Sequence, residues 1–360
     1  MFDPSKKVNM NIQVLRGLSV IAVLLFHLEL RSFSWGFLGV DIFFIISGFL
    51  MPIILPRHTA WTFIRARVQR LYPALTAMTL SVLGILYFIQ VPADYVSNAY
   101  SAIYSAIFGS IFFFHQNIGY FELDANTEPF LHTWSIGGEF ISYLLVMVIL
   151  LLKTNTKSVL KASISISALA LCYTLSKSYF SVLNYYDAIP RLYLFFSAFS
   201  ASYFIQHFRH GRQPLKNSYL LLSSLIAITA FVFSLFLTTD NPTWPSLSMI
   251  FLPVAIIPII LIKSPIFSEW KLAKGLAKIG DWSYSIYIWH WPVIVLERLF
   301  LMNTPIHSVE EKVALLLIIL PISLFSYSFI ERNTNLKTKG ALILSLLLML
   351  GFSALIIQNS

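Results

Sequence analysis

The chain has 360 residues, of which 57% are hydrophobic and 11% are charged, and its formal net charge is +9. A soluble domain is about half apolar and a quarter charged, so these charges are too few to cover a water-soluble globule. The single cysteine, Cys172, excludes an intrachain disulfide framework and a cysteine-based zinc site. No basic stripe with interleaved aromatic residues lies on a polar segment, so we expect no nucleic-acid partner.

Long apolar runs separated by short polar joints recur along the chain. A helix needs roughly 20 apolar residues to cross ~30 Å of hydrocarbon, and a helix satisfies its own backbone hydrogen bonds in lipid. We therefore predict an all-α, polytopic integral membrane bundle of about ten core transmembrane helices plus one extra C-terminal helix. The predicted spans are 12–30, 38–55, 73–91, 135–152, 159–177, 189–206, 217–237, 246–263, 283–301, 312–331 and, as the extra helix, 341–357.

Basic residues are concentrated in six segments, and cytoplasmic loops carry an excess of Lys and Arg. This rule predicts a cytoplasmic N-terminus and a periplasmic C-terminus. It requires an even number of crossings between Arg70 and Lys153, which 73–91 and 135–152 supply. The further apolar stretch 99–116 is therefore predicted to be re-entrant or interfacial, with 120–128 on the outer side. The basic segments are the N-terminus with Lys6 and Lys7, Arg57 to Arg70, Lys153 to Lys161, His207 to Lys216, Lys263 to Lys278, and Arg332 to Lys339.

A few ionisable residues lie within the predicted spans. Such residues are costly in lipid and are functional hypotheses by default, although each could also be a structural ion pair or a snorkelling side chain. They are Arg16, His27, Asp41, Glu139, Arg191 and His290.

The first span carries Arg16 and His27, which are 11 residues apart. About three helical turns separate them, so they share one face at a distance of roughly 16 Å. A buried neutral imidazole suits general-base work near pH 7, and an arginine near the cytoplasm suits a phosphate or carboxylate group. Asp41 begins the second span at a similar depth and could orient the imidazole of His27. Backbone amides at the helix start could equally hold that carboxylate.

Two further groups flank these spans. Arg65, Arg67 and Arg70 form a cytoplasmic basic segment that could clamp a phosphorylated donor or anchor the chain on anionic lipid. His132, Ser135 and Glu139 have the spacing of one helix face, and together with Trp134 they suit a sugar, although Trp134 alone is typical of an interfacial belt. His290, near mid-membrane in an aromatic run, is not easily explained by core packing.

These residues resemble the integral-membrane O-acyltransferases of acyltransferase family 3, over about 11–331. Five motifs occur in the family's order. The chain departs from the family pattern at two places. Glu139 is followed by Phe140, where the family often has a second acidic residue. The family often ends its last core helix with the sequence Glu-x-Pro, whereas here Glu331 is followed by Arg332 and Asn333. The motifs are Arg16 to His27, Gly36 to Phe49, Arg67 to Pro73, His132 to Ser135 and Ser283 to Pro292.

The resemblance implies a membrane acyltransferase domain at 1–335, followed by an extra transmembrane helix at 336–360 without an esterase-like soluble domain. It implies transfer of an acetyl or other acyl group from cytosolic acyl-CoA, most often acetyl-CoA, to a hydroxyl of a cell-surface glycan such as O-antigen, capsule or exopolysaccharide. We expect no bound cofactor and no metal, and a location in the bacterial inner membrane in contact with lipid. The resemblance, with the residue patterns above, assigns His27, Arg16 and Asp41 to catalysis, Arg16, Arg65, Arg67 and Arg70 to acyl-CoA binding, and His132, Trp134, Ser135, Glu139 and His290 to the acceptor.

Polar residues at mid-membrane also suit a different class of protein, a transporter or flippase of a lipid-linked sugar. A ligand sensor is a third class, which the lack of an attached signalling domain disfavours. Transfer of a labelled acetyl group would distinguish the enzyme from both.

Overall fold

The computed structural model describes residues 9–117, 125–152, 155–179, 185–208, 216–237, 246–262, 271–301, 308–333 and 338–358. Within these ranges the chain is all helical and contains no strand, as the sequence predicts. Several residues used for the predicted orientation lie outside the described ranges; they include Lys6, Lys7, Lys153, Lys263 and the first part of the outer stretch, 120–124.

The helices follow one another through short connections. Short 3-10 turns at Arg31–Phe33, Leu55–Arg57 and Leu131–Thr133, and a π-helical turn at Ser326–Glu331, lie next to them. The α-helices are α1 (Met10–His27), α2 (Leu38–Ile54), α3 (Ala60–Ile89), α4 (Pro92–Ala106), α5 (Ser110–Asn117), α6 (Trp134–Leu151), α7 (Thr156–Tyr179), α8 (Ile189–Phe208), α9 (Asn217–Leu237), α10 (Ser246–Leu261), α11 (Lys271–Leu301), α12 (Val309–Phe325) and α13 (Lys339–Gln358).

Every predicted span coincides with a helix, and the chain is a multi-pass membrane protein by the length and apolarity of these helices. Six described segments are long and apolar enough to cross a membrane, and α9, α10 and α13 contain shorter apolar stretches. The larger number of about ten core crossings, with one more at the C-terminus, stays a prediction. The six described segments that are long and apolar enough to cross a membrane are Met10–His27, Arg31–Ile54, Ala60–Ile89, Leu131–Leu151, Thr156–Lys177 and Val309–Glu331.

Two helices begin well before their predicted spans. The α3 helix starts at Ala60, although its apolar run starts at Pro73, and α11 starts at Lys271 rather than near Ser283. Hydropathy marks the apolar part of a helix, whereas the backbone hydrogen-bond ladder continues through neighbouring charged residues. The basic residues after Ala60 and Lys271 are therefore helical.

The stretch predicted to be re-entrant or interfacial falls on two short helices. The α4 helix has 15 residues and α5 has 8, and the chain turns between them at Phe108, whose φ is +58°. A single span needs roughly 20 residues, so neither helix is long enough to cross by itself. The depth of this stretch in the membrane stays a prediction.

The structure divides into two compact units. The first unit comprises Met1–Ser19, Leu38–Phe63 and Ile141–Asp281, and the second comprises Val20–Phe37, Ile64–Phe140 and Trp282–Ser360. In the first unit α2 packs on α8, α8 on α7, and α9 on α10. In the second unit α4 packs against α13 and α5.

Close backbone contact between α1 and α11 in the first unit depends on two glycines. A Cβ on Gly17 would lie 2.2 Å from the carbonyl oxygen of Leu276, and a Cβ on Gly280 would lie 2.0 Å from that of Gln13. Only residues without a Cβ allow this approach. The contact fixes the helix turn that carries Arg16.

Candidate active site

Polar side chains of α11 contact several other elements of the second unit. Tyr284, Tyr287 and His290 follow at intervals of three residues, which places them close together along one side of the helix. The Tyr284 hydroxyl donates to the carbonyl of Leu71 over 2.6 Å, and the Tyr287 hydroxyl donates to the carbonyl of His132 over 3.0 Å. This helix therefore positions the polar groups of the candidate site.

His27 and His290 are directly hydrogen-bonded. Nδ1 of His27 lies 3.1 Å from Nε2 of His290, and Nδ1 of His290 lies 2.6 Å from the carbonyl oxygen of Tyr287. A carbonyl oxygen can only accept, so Nδ1 of His290 carries a hydrogen. With both rings neutral, Nε2 of His290 then accepts from Nδ1–H of His27. The remaining nitrogen, Nε2 of His27, holds a lone pair and can accept a proton from a substrate.

Trp291 packs on the other side of the His27 ring. The two ring centroids are 4.8 Å apart, and the indole N–H donates to the carbonyl of Glu128 over 2.8 Å. Arg298 lies 5.5 Å from the Trp291 ring and forms a 2.7 Å ion pair with Glu29. The orientation of the His27 ring is therefore set by a hydrogen bond at Nδ1 and an aromatic contact on its face.

His132 lies beside the same pair of histidines. Its ring centroid is 5.9 Å from that of His290 and 5.8 Å from that of Tyr287, and its side chain is buried. In the part of the chain that the structure describes, neither of its ring nitrogens has a hydrogen-bond partner. The backbone carbonyls of Pro129 and Ile288 interact with the ring, but neither meets hydrogen-bond geometry. His27, His132 and His290, called the histidine cluster below, thus lie together.

The other predicted acceptor residues, Ser135, Trp134 and Glu139, lie in different surroundings. Ser135 is buried, and its hydroxyl lies 2.7 Å from that of Tyr287, next to the histidine cluster. Trp134 is 4% exposed and so belongs to the core of the second unit rather than to an exposed belt. Glu139 lies near the Tyr284 hydroxyl together with Arg70, so a predicted acceptor residue neighbours a predicted donor residue.

Asp41 is buried in the first unit and pairs with Arg191. Its Oδ1 atom lies 3.5 Å from Nε of Arg191, and the two side chains are 1% and 0% exposed. Arg191 also donates to the carbonyls of Tyr185 and Asp187. His27 belongs to the second unit, so the predicted orienting role of Asp41 stays a prediction. Within their own units, Asp41 is paired with Arg191 and His27 is oriented by His290.

The predicted donor-binding arginines lie on α1 and α3. Arg16 is partly buried in the first unit and donates to the side chain of Gln13 over 3.3 Å. In the second unit Arg65 is exposed and Arg67 and Arg70 are partly buried. Arg67 and Arg70 are three residues apart and share a face of α3. Their predicted contact with a donor stays a prediction.

Sequence reasoning did not single out several residues that shape this site. Tyr287 and Trp291 were recognised only as part of an aromatic run, and Glu29, Glu128 and Arg298 were not considered. Arg298 carried a usable signal, because a charged residue inside an apolar run is costly unless it is paired. Among the described residues, no group of three or more histidine, cysteine or acidic side chains is arranged to hold a metal ion.

Comparison with known proteins matches nearly the whole chain to one family. The family described as an acyltransferase domain matches residues 9–332. The provisionally named membrane-bound transacylase BcsY of Komagataeibacter xylinus is 29% identical, over 90% of this chain and 82% of its own length. The O-acetyltransferase OatA of Staphylococcus aureus is 28% identical, over 91% of this chain and 57% of its own. The peptidoglycan O-acetyltransferase OatA of Listeria monocytogenes is 29% identical, over 85% of this chain and 52% of its own.

The match therefore covers most of BcsY but only about half the length of the OatA proteins. No solved structure matches the chain. The family match includes α1 through the π-helical turn and thus the whole histidine cluster. The chain belongs to acyltransferase family 3 and is an integral-membrane acyltransferase.

Proposed function

We propose that the protein is an O-acetyltransferase that moves an acetyl group from acetyl-CoA to a hydroxyl group of a bacterial cell-surface polysaccharide. The observation that carries the proposal is the hydrogen-bonded chain from Tyr287 through His290 to His27. It leaves Nε2 of His27 as a proton acceptor of defined orientation. The names of the OatA relatives, which are O-acetyltransferases, support the acetyl group and the hydroxyl acceptor.

The reaction needs one base and one acid, and His27 serves as both. Nε2 of His27 takes the proton of the acceptor hydroxyl as its oxygen attacks the thioester carbonyl carbon. The carbonyl π electrons move to oxygen, and their return breaks the C–S bond. The leaving thiolate takes the proton from Nε2 of His27, which gives the O-acetyl ester and free CoA. A positioned base of this kind contributes about 10²- to 10⁴-fold to the rate. A covalent acetyl-imidazole at the same nitrogen is a second route.

The donor is proposed to bind at the arginines. Arg67 and Arg70 share a face of α3, and arginine matches phosphate oxygens with a planar fork of N–H donors. Arg16 and Arg65 supply further positive charge for the CoA phosphates. Because CoA is a cytosolic donor and the acceptor is a surface glycan, the proposal places the protein in the inner membrane with a cytoplasmic N-terminus. The acceptor is proposed to lie on the outer face.

The proposal is tested with the full-length protein in lipid vesicles supplied with labelled acetyl-CoA and isolated surface polysaccharide. Wild-type protein is expected to transfer label to the polysaccharide, and His27→Ala is expected to lose transfer without losing expression. His115→Ala is the matched control, because His115 is an exposed imidazole of α5 in the same unit. Full transfer by His27→Ala, or no transfer by the wild type, would refute the proposal, and the latter would favour a transporter.

A further inference from the structure

The buried carboxyl group of Glu128 lies outside the reaction chemistry described above. Its side chain is 3% exposed, and its Oε2 atom has no hydrogen-bond partner among the described residues. A buried carboxyl oxygen without a partner costs free energy, so native proteins seldom retain one without a reason. The carboxyl group therefore requires an explanation beyond packing.

The Glu128 carboxyl group lies against one face of α4. It interacts with the Ser101 hydroxyl and with the charge of Asp94, which are seven residues apart on that helix. Asn98 is four residues after Asp94 and three residues before Ser101. Residues at these spacings lie on the same face of a helix, so Asn98 lies between the two on that face. Asn98 therefore lies on the face of α4 that carries both groups acting on the carboxyl group.

Asn98 contributes a second buried acceptor atom. Its amide nitrogen donates to the side chain of Gln90 over 2.9 Å and to the carbonyl of Asp94 over 3.0 Å. Its amide oxygen is buried and, in the described part of the chain, has no donor. Two buried acceptors, Oδ1 of Asn98 on this face of α4 and Oε2 of Glu128 against it, thus lack donors among the described residues. A ligand that carries adjacent hydroxyl groups supplies such donors.

This pair of acceptors adjoins the histidine cluster. The backbone of Glu128 binds the indole N–H of Trp291, and the same indole packs on the His27 ring. The polar face of α4 also leads there, since the Ser105 hydroxyl lies 2.8 Å from that of Thr133, the neighbour of His132 in the chain. At its other end this face reaches the exposed residue Asp94. The polar face thus runs from the exposed Asp94 to the buried Ser105, whose partner Thr133 adjoins His132 in the chain.

We propose that Glu128 and Asn98 form the subsite that binds the acceptor sugar, by accepting hydrogen bonds from hydroxyl groups next to the one that is acetylated. The inference rests on the proposed function and specifies which residues hold the glycan. Glu128 and Asn98 add to the acceptor residues that the sequence predicts. One of those residues, Ser135, is hydrogen-bonded to Tyr287. The expected ligand is a polyhydroxyl compound. Its uncharged hydroxyl groups donate hydrogen bonds to Oε2 of Glu128 and Oδ1 of Asn98.

The ionisation of Glu128 provides an independent readout. Burial is the main reason that the pKa of Glu128 is raised to about 7; the Ser101 hydroxyl opposes this rise, and the charge of Asp94 adds to it. Asp94 is the charged group that acts on this carboxyl group from α4, and Arg298 of α11 pairs with Glu29 instead. A carboxylate accepts hydrogen bonds more strongly than a carboxylic acid, so acceptor binding should strengthen as the pH rises through about 7.

The test compares Michaelis constants for the two substrates in the full-length enzyme, in lipid vesicles with labelled acetyl-CoA and isolated polysaccharide. Glu128→Gln is expected to raise the KM for the glycan roughly 10- to 100-fold, the range of a hydrogen bond to a charged group, and Asn98→Leu about 2- to 10-fold, the range of a neutral hydrogen bond. Both variants are expected to leave the KM for acetyl-CoA unchanged. Glu128→Gln is also expected to abolish the pH dependence of the glycan KM near pH 7. Glu310→Gln is the control, because Glu310 is exposed in the first turn of α12.

Each result decides the matter. An unchanged glycan KM in both variants, with wild-type transfer intact, overturns the subsite and leaves the proposed function standing. A parallel loss of kcat and thermal stability without a change in glycan KM assigns Glu128 a structural role and also overturns it. If Asn98→Leu fails to fold, the glycan KM of Glu128→Gln decides the test by itself. Absence of transfer by the wild type refutes the proposed function itself.

Discussion

Replacement of His290 tests the hydrogen-bond chain that orients His27. In His290→Leu the Nδ1–H group of His27 loses the acceptor that lies 3.1 Å away in the wild type, and the backbone of Val23 remains as the other hydrogen-bonding group beside the ring. The ring is then free to move its hydrogen to Nε2, and the lone pair is lost from the reacting side. His290→Gln is the matched variant, because a glutamine carbonyl can still accept from Nδ1–H.

The expected effect follows from the cost of an unsatisfied buried donor. That cost is about 1–3 kcal/mol, and at about 1.4 kcal/mol per tenfold it corresponds to a roughly 5- to 150-fold lower kcat. His290 is 1% exposed, so water has little access to replace the lost acceptor. The KM values for donor and acceptor should change little, because the hydrogen bond orients a base and does not hold a substrate.

The assay is labelled acetyl transfer at saturating substrate, measured from pH 5 to about pH 9 across the range in which histidine titrates. The leucine variant should have a lower kcat than the wild type, and the glutamine variant should recover most of the lost kcat because it restores the acceptor. Equal kcat values for wild type and His290→Leu, with both proteins folded, would show that the tautomer of His27 does not depend on His290.

Three further predictions concern stability and donor binding. Because the folded-state pKa of Glu128 is raised from 4.5 to about 7, its contribution to the free energy of unfolding is fully present below about 4.5 and is lost as the pH rises to about 7. Thermal unfolding of Glu128→Gln should lack this fall, and identical pH profiles would contradict the burial argument. Gly17→Ala should lower the unfolding free energy by about 1–3 kcal/mol through overpacking. Gly84→Ala is the control and should not lower it, because a Cβ at Gly84 meets nothing within 4 Å. Equal melting temperatures of the two variants would contradict the close α1–α11 contact. Arg70→Lys should raise the KM for acetyl-CoA because lysine cannot form the bidentate contact, and an unchanged KM would favour a lipid anchor.

The sequence alone determined the helical membrane class and most of the individual candidate residues. Each apolar run predicted a helix because lipid leaves the backbone no other local solution. His27, Asp41, Arg191 and His290 could be recognised one at a time, since a polar group in an apolar run is costly wherever its partner lies. The family motifs were also local in the sequence.

Only the tertiary structure decided which of these residues meet. His27 bonds to His290 across a separation of 263 residues, and Asp41 pairs with Arg191 in another unit. The sequence-based pairing of Asp41 with His27 compared only neighbouring spans, and it stays a prediction. Hydrophobic periodicity shows which face of a helix is buried but not which helix covers it. The partner of each buried polar group depends on helix packing, and the tautomer of His27 depends on that partner.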